Sequence, residues 1–147
     1  MLSCNSAIPP LLGELKQAHS KLLHSIDELD RISHGPPPPE KVLVDARWRV
    51  SRESLARRLL WGRILAHLAP LVRGRAEMDL RLIQEADIRL LKASVNHIAA
   101  WKPERAIANW RLYAGAESDL LQRIVGVVAL EKSLLYPLLE QAQLKAA

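Results

Sequence analysis

Apolar residues recur at intervals of three and four through most of this chain, and prolines cut the pattern into four lengths. That spacing is the period of a helix buried along one face. No stretch alternates long enough to suggest a strand. The first length, about residues 10–33, follows Pro9-Pro10 and stops at Gly35 and the prolines 36 to 39, a stiff extended connector. The second, 40–68, ends near Pro70 and Gly74. The third covers 77–101, and Pro103 sits where a fourth helix would start, its missing N–H costing nothing in the first turn. The fourth runs to about Leu135, with a short tail after Pro137 returning to helix. Four long helices with short connections imply an all-α fold, an up-down-up-down four-helix bundle, formed as one domain over residues 1–147.

Composition supports a packed domain: 49% of residues are hydrophobic and 25% charged. The 21 Lys and Arg outnumber the 16 Asp and Glu, a modest net charge of +5. Cys4 is the only cysteine, so no intramolecular disulfide forms, and a lone thiol near a terminus reads as incidental. The start of the chain has no basic segment followed by an apolar run, unlike a secretory signal. The longest strongly apolar run, Ile124 to Leu130, is far shorter than the ~20 residues of a membrane span. A cytoplasmic protein is expected.

At ~100° per residue, the first helix turns Leu12, Leu15, His19, Leu22, Leu23, Ile26 and Leu29 to one face. His24 and Glu28 fall on the opposite side as an exposed polar pair. The third helix aligns Leu82, Ile83, Ala86, Leu90, Ala93, His97 and Trp101, and carries a second apolar stripe of Leu80, Ile88, Leu91, Val95 and Ile98. The second helix is also apolar on more than one side between Leu55 and Leu68. A bundle helix needs only one buried stripe, so a second copy of the chain is expected on the extra faces of these two helices. The fourth helix aligns Tyr113, Leu120, Ile124, Val127, Glu131, Leu134 and Leu138. Glu131 is thus an acid on an apolar face, which must be paired or protonated.

The segments LKQAHSKLLHSIDELDRI, LLWGRILAHLAPLV, LIQEADIRLLKASVNHIAAW and NWRLYAGAESDLLQRIVGVVALEKSLLYPLL resemble the four helices of a hemerythrin-like domain of the His-His-Glu cation-binding type. The resemblance implies a bundle core holding two bridged irons. Their ligands would be a histidine on the first helix, His-x-x-x-Glu on the second, a histidine on the third and His-x-x-x-Asp/Glu on the fourth. Residues four apart lie one turn above each other, so both reach one metal. Carried over, His19 matches the first ligand and His67 the second-helix histidine, but Leu71 stands where its acid belongs. Ala86 takes the third-helix position, and Val127 replaces the histidine four residues before Glu131. The remaining metal candidates are His19, His67 and Glu131, enough for a single iron or zinc.

The leading expectation is a non-enzymatic binding or regulatory module that has lost its di-iron site and carries no cofactor. His19, His67 and Glu131 would then form a leftover polar network across the core. The alternative keeps a reduced metal site for oxygen or nitric oxide sensing or carriage, or for iron binding. Ala86 and Val127, smaller than histidine, also leave room for a small hydrophobic ligand at the bundle centre. A third expectation starts from Arg47, Arg49, Arg52, Arg57, Arg58, Arg63, Arg73 and Arg75, which crowd the second helix and its exit. Nucleic-acid binding is one reading, but these arginines spread around the helix, which favours a solvated face paired with Glu53, Asp45 and neighbouring acids.

Overall fold

A computed structural model describes residues 10–146, the side chain of Ala146 excepted; Cys4 lies outside the described residues. Among them are five helices and no strand: α1 (Leu11–Ser33), α2 (Glu40–Leu68), α3 (Arg75–Ala100), α4 (Pro103–Ala108) and α5 (Trp110–Ala146). α1 packs on α2 and α5, α3 packs on α5, and α4 fills the corner between α2 and α5.

The boundaries follow local chemistry. α1 closes with the His34 N–H donating to Asp30 and Ile32 carbonyls, while Ser33 Oγ donates to Leu29 O at 2.9 Å. The prolines up to Pro39 then hold the chain extended. α2 unwinds after Leu68, and the Leu71 N–H donates to Leu68 O at 2.8 Å. Gly74 turns the chain into α3 at φ 67° and ψ −126°, a conformation that a side chain strongly disfavours.

Two boundaries differ from the sequence expectation. The fourth helix is split: Asn109 leaves helical geometry at φ −125°, its side chain donates to Arg105 O at 3.1 Å, and α5 restarts at Trp110. Asparagine favours such a break because its short amide competes for backbone partners. Trp110 Nε1 donates to Gly35 O at 2.8 Å, tying the break to the end of α1. α5 then continues through Pro137 instead of stopping near Leu135. Leu135 and Leu139 on either side of the proline are fully buried, and each contributes ~1.5–3 kcal/mol, which offsets the hydrogen bond that proline removes.

The core is in two parts. One gathers Leu22, Ile26, Leu29, Leu43, Val50, Leu90, Tyr113, Ile124 and Val128. The other gathers Leu11, Leu15, Leu60, Trp61, Ile64, Ile83, Leu135 and Leu139. On every long helix a polar residue stands between the two: His19 after Leu15 and before Leu22, Arg57 between Val50 and Leu60, Asp87 between Ile83 and Leu90, Glu131 between Val128 and Leu135. All four are buried.

Outside the core, α2 exposes Trp48, Leu55 and Leu59, and α3 exposes Ile88, Leu91, Val95 and Ile98. On α3 these are the extra stripe read from the sequence, except that Leu80 is buried, while Leu82, expected on the core face, is 46% exposed; on α2, Leu55 and Leu59 fall in the stretch expected to be apolar on several sides and Trp48 lies before it. No helix among the described residues is long and apolar enough to cross a membrane.

Candidate functional site

The four buried polar residues are joined in one network. His19 Nε2 lies 2.6 Å from Glu131 Oε1. The other Glu131 oxygen accepts from Arg57 Nη1 at 2.5 Å, and Arg57 Nη2 donates to Asp87 Oδ1 at 2.5 Å. Tyr136 Oη sits 2.6 Å from His19 Nδ1. Burial, and then the charge of Glu131, hold the Tyr136 hydroxyl pKa above its ordinary range. A carboxylate only accepts, so Nε2 carries a hydrogen toward Glu131, and in a neutral imidazole Nδ1 then accepts from the Tyr136 hydroxyl. Arg58 on the outer side of α2 comes within 3.5 Å of Asp87 Oδ2. The layer therefore reads Tyr136, His19, Glu131, Arg57, Asp87, Arg58, and it links α1, α2, α3 and α5.

Its electrostatics are those of a buried cation clamped by two anions. Arg57 and Glu131 are each 1% exposed at the side chain. Arginine stays charged at any accessible pH, and its planar fork presents two nitrogens to two different carboxylates. The buried charges of Glu131 and Asp87 are thereby compensated, as the sequence required of Glu131.

The sequence candidates separate here. His19 and Glu131 come together as an inter-helix polar pair, but His67 is not part of it. His67 lies exposed in the last turn of α2, beside a surface hollow of about 540 Å³ shared with Leu71, Val72 and Ala142. Its position near the frayed end of α2 carries it past the layer. Among the described residues no group of three or more His, Cys, Asp or Glu is arranged to hold a metal ion. A metal's donors do not fit this layer, because both Glu131 oxygens are already engaged and the guanidinium supplies the positive charge. Ala86 and Val127 border a surface hollow of about 280 Å³ between α3 and α5, with Arg89, Arg123 and Gly126, rather than a central cavity.

The crowded arginines are largely paired. Arg49 bonds Glu28, Arg52 bonds Glu53 at 3.0 Å, and Arg63 reaches Glu14 at 3.3 Å. Arg73 donates to the backbone carbonyls of Ala69 and Val72. Glu28 thus serves Arg49 rather than the exposed His24, and Asp45 pairs with Lys41 at 3.2 Å instead of an arginine.

A second polar cluster lies nearer the α4 end. Glu117 on α5 is 2% exposed and accepts from Tyr113 Oη at 2.5 Å. His97 Nε2 lies 3.3 Å and Arg47 Nε 4.0 Å from the same oxygen, Oε1. Arg47 Nη1 donates to Trp101 O at 2.7 Å, and its guanidinium covers the Tyr113 ring at 5.5 Å. Burial first, then the Glu117 charge and hydrogen bond, push the Tyr113 pKa well above the tyrosine range. Arg47, His97 and Glu117 of this cluster line a cleft of about 160 Å³ between α2 and α3. Glu117 was not singled out from the sequence, although it stands four residues after Tyr113 and seven before Ile124 on the same apolar face. The chain matches no protein-family model, and neither the curated proteins nor the solved structures contain a significant match to it.

Proposed function

We propose that this chain is a non-enzymatic binding or regulatory module, built as an up-down-up-down four-helix bundle resembling hemerythrin-like domains, in which an arginine has taken over the role of a core cation. The observation that supports this reading is the Arg57 guanidinium seated between Glu131 and Asp87, with His19 on the far oxygen of Glu131. Such a layer ties α1, α2, α3 and α5 together and engages both Glu131 oxygens and both terminal nitrogens of Arg57. Function then passes to the outer surfaces: the apolar faces of α2 and α3, which we assign to a second copy of the chain, and the cleft between them.

Metal content tests the reading. Protein purified after growth with iron and zinc should contain no stoichiometric metal by elemental analysis, and His19→Ala should leave that unchanged. One metal or more per chain in the natural protein, lost in His19→Ala, overturns it in favour of a reduced His19 and Glu131 site. The pairing of Arg49, Arg52, Arg57, Arg58 and Arg63 with acids places nucleic-acid binding behind both readings.

A further inference from the structure

We infer that the cleft between α2 and α3 binds a small uncharged aromatic molecule carrying one hydroxyl group, a ligand of the phenol class. The inference deepens the binding-module reading and rests on it.

Three observations carry it. The first is an unfinished hydrogen bond. The His97 side chain is 9% exposed and lines the cleft, yet its Nε2 has no hydrogen-bond partner. It lies 3.3 Å from Glu117 Oε1, but Tyr113 already donates to that oxygen at 2.5 Å. A buried polar atom left this way favours any ligand that completes it. A hydroxyl suits the position because it both donates and accepts: it accepts from Nε2–H while turning its hydrogen to Glu117, or donates that one hydrogen to Nε2 in the other tautomer.

The second is charge balance. The charges on the α2 wall have acids near them, Arg47 Nε 4.0 Å from Glu117 and Arg58 Nε 3.5 Å from Asp87, and Arg58 Nε, like His97 Nε2, has no hydrogen-bond partner, so it too favours a ligand oxygen that accepts. A ligand carboxylate would sit against the buried Glu117 charge, and a ligand ammonium against Arg47 and Arg58. In a partly desolvated site both repulsions are poorly screened, whereas a neutral head meets neither.

The third is size and lining. The volume is about 160 Å³, and Leu29, Val50, Leu120 and Ile124 form its apolar floor, with Leu91 and Val95 on the α3 wall. Apolar cavities of about 150 Å³ accommodate benzene. A six-membered ring therefore matches the space, and Ser94 beside His97 marks the side on which the hydroxyl lies.

The full chain, isotopically labelled, is titrated with phenol and followed by amide chemical shifts. Saturable binding with a Kd of about 0.1–1 mM is expected for so small a ligand. The largest shifts should fall on Ser54, Ser94, His97 and Ile98, with benzoate and benzylammonium binding at least tenfold more weakly. Ser94→Phe, whose ring would occupy the cleft, should abolish binding while the remaining amide spectrum stays dispersed. No saturable shifts in the natural chain, shifts centred elsewhere, or tighter binding of either charged analogue overturns the inference. Because the first of these needs no variant, a Ser94→Phe protein that fails to fold does not shield the idea. Metal content measured on the same sample keeps the two failures apart: metal with phenol binding sinks only the loss of the core site, and metal-free protein without phenol binding sinks only the cleft.

Discussion

At the scale of single residues, Arg57 decides what the centre of this protein is. It is 1% exposed and holds two carboxylates that would otherwise be buried without compensation. Replacing it with methionine keeps the side-chain volume but strands Glu131 and Asp87. Breaking a buried ion pair from one side costs ~3–5 kcal/mol, most of it the cost of the charge left behind. Arg57→Met should therefore lower the urea midpoint by an amount corresponding to that loss. Adding Glu131→Gln and Asp87→Asn should recover a large part of it, because neutral amides no longer carry uncompensated charge. A single variant that loses less than ~1 kcal/mol would mean that the layer behaves like an exposed salt bridge. The sequence pointed to half of this layer. Glu131 was legible as an acid on an apolar face, and His19 as a histidine on another. Arg57 and Asp87 were hidden for a specific reason: seven other arginines crowd α2 and its exit, and Asp87 sits between two other charged residues, Glu85 and Arg89. The spacing signal existed nonetheless, since Arg57 lies seven residues after Val50 and seven before Ile64, and Asp87 lies four after Ile83 and three before Leu90. His67 entered through the family resemblance alone, and Pro70, three residues on, already marked the end of the turn that would have to present it.

At the scale of elements, periodicity and proline placed α1, α2 and α3 within a few residues of their ends, because Gly35, Pro39, Gly74 and Pro103 act locally on the backbone. The last helix was harder to place, since both of its surprises depend on tertiary contacts. The break at Asn109 is fixed by Trp110 reaching the carbonyl of Gly35, seventy-five positions away. The continuation through Pro137 depends on the burial of Leu135 and Leu139, which outweighs the local preference. Proline inside a helix is ~3 kcal/mol less favourable than alanine, from the missing N–H and the clash of its ring with the carbonyl one turn back. Pro137→Ala should restore the bond to the carbonyl of Ser133 and stabilise the protein by ~1–3 kcal/mol, read as a higher urea midpoint and melting temperature. An unchanged or lowered midpoint would show that α5 does not run straight through this turn, and that the tail packs as a separate piece.

At the scale of the whole molecule, most of the large apolar residues left exposed after the core is built lie on α2 and α3, with Leu71 after α2 and Leu112, Val125 and Leu144 on α5. On α3 the exposed residues Ile88, Leu91, Val95 and Ile98 follow a three-four-three spacing. That is the seam of a coiled coil, with branched Ile and Val at one position and Leu and Ile at the other. On α2, Trp48, Leu55 and Leu59 recur at seven and four. Such a seam is satisfied by another helix carrying the same pattern, and the proposed second copy would supply one in its own α3, in a two-fold pairing where each surface meets itself. Sedimentation equilibrium at micromolar concentration should then give twice the 16.5 kDa mass of one chain. Val95→Asp should shift the protein to the single-chain mass without unfolding it, since Val95 is 56% exposed in the isolated chain and a charge there is costly only when covered. A protein that sediments as a single chain across that range would remove the dimer and leave this face to a different partner. A dimer insensitive to Val95→Asp would place the contact elsewhere on the surface. A dimer broken by Val95→Asp would place the shared interface over the mouth of the α2–α3 cleft, because Leu91, Val95 and Ile98 line that cleft as well. The second copy would then act as its roof, and ligand affinity should rise with protein concentration as the dimer forms.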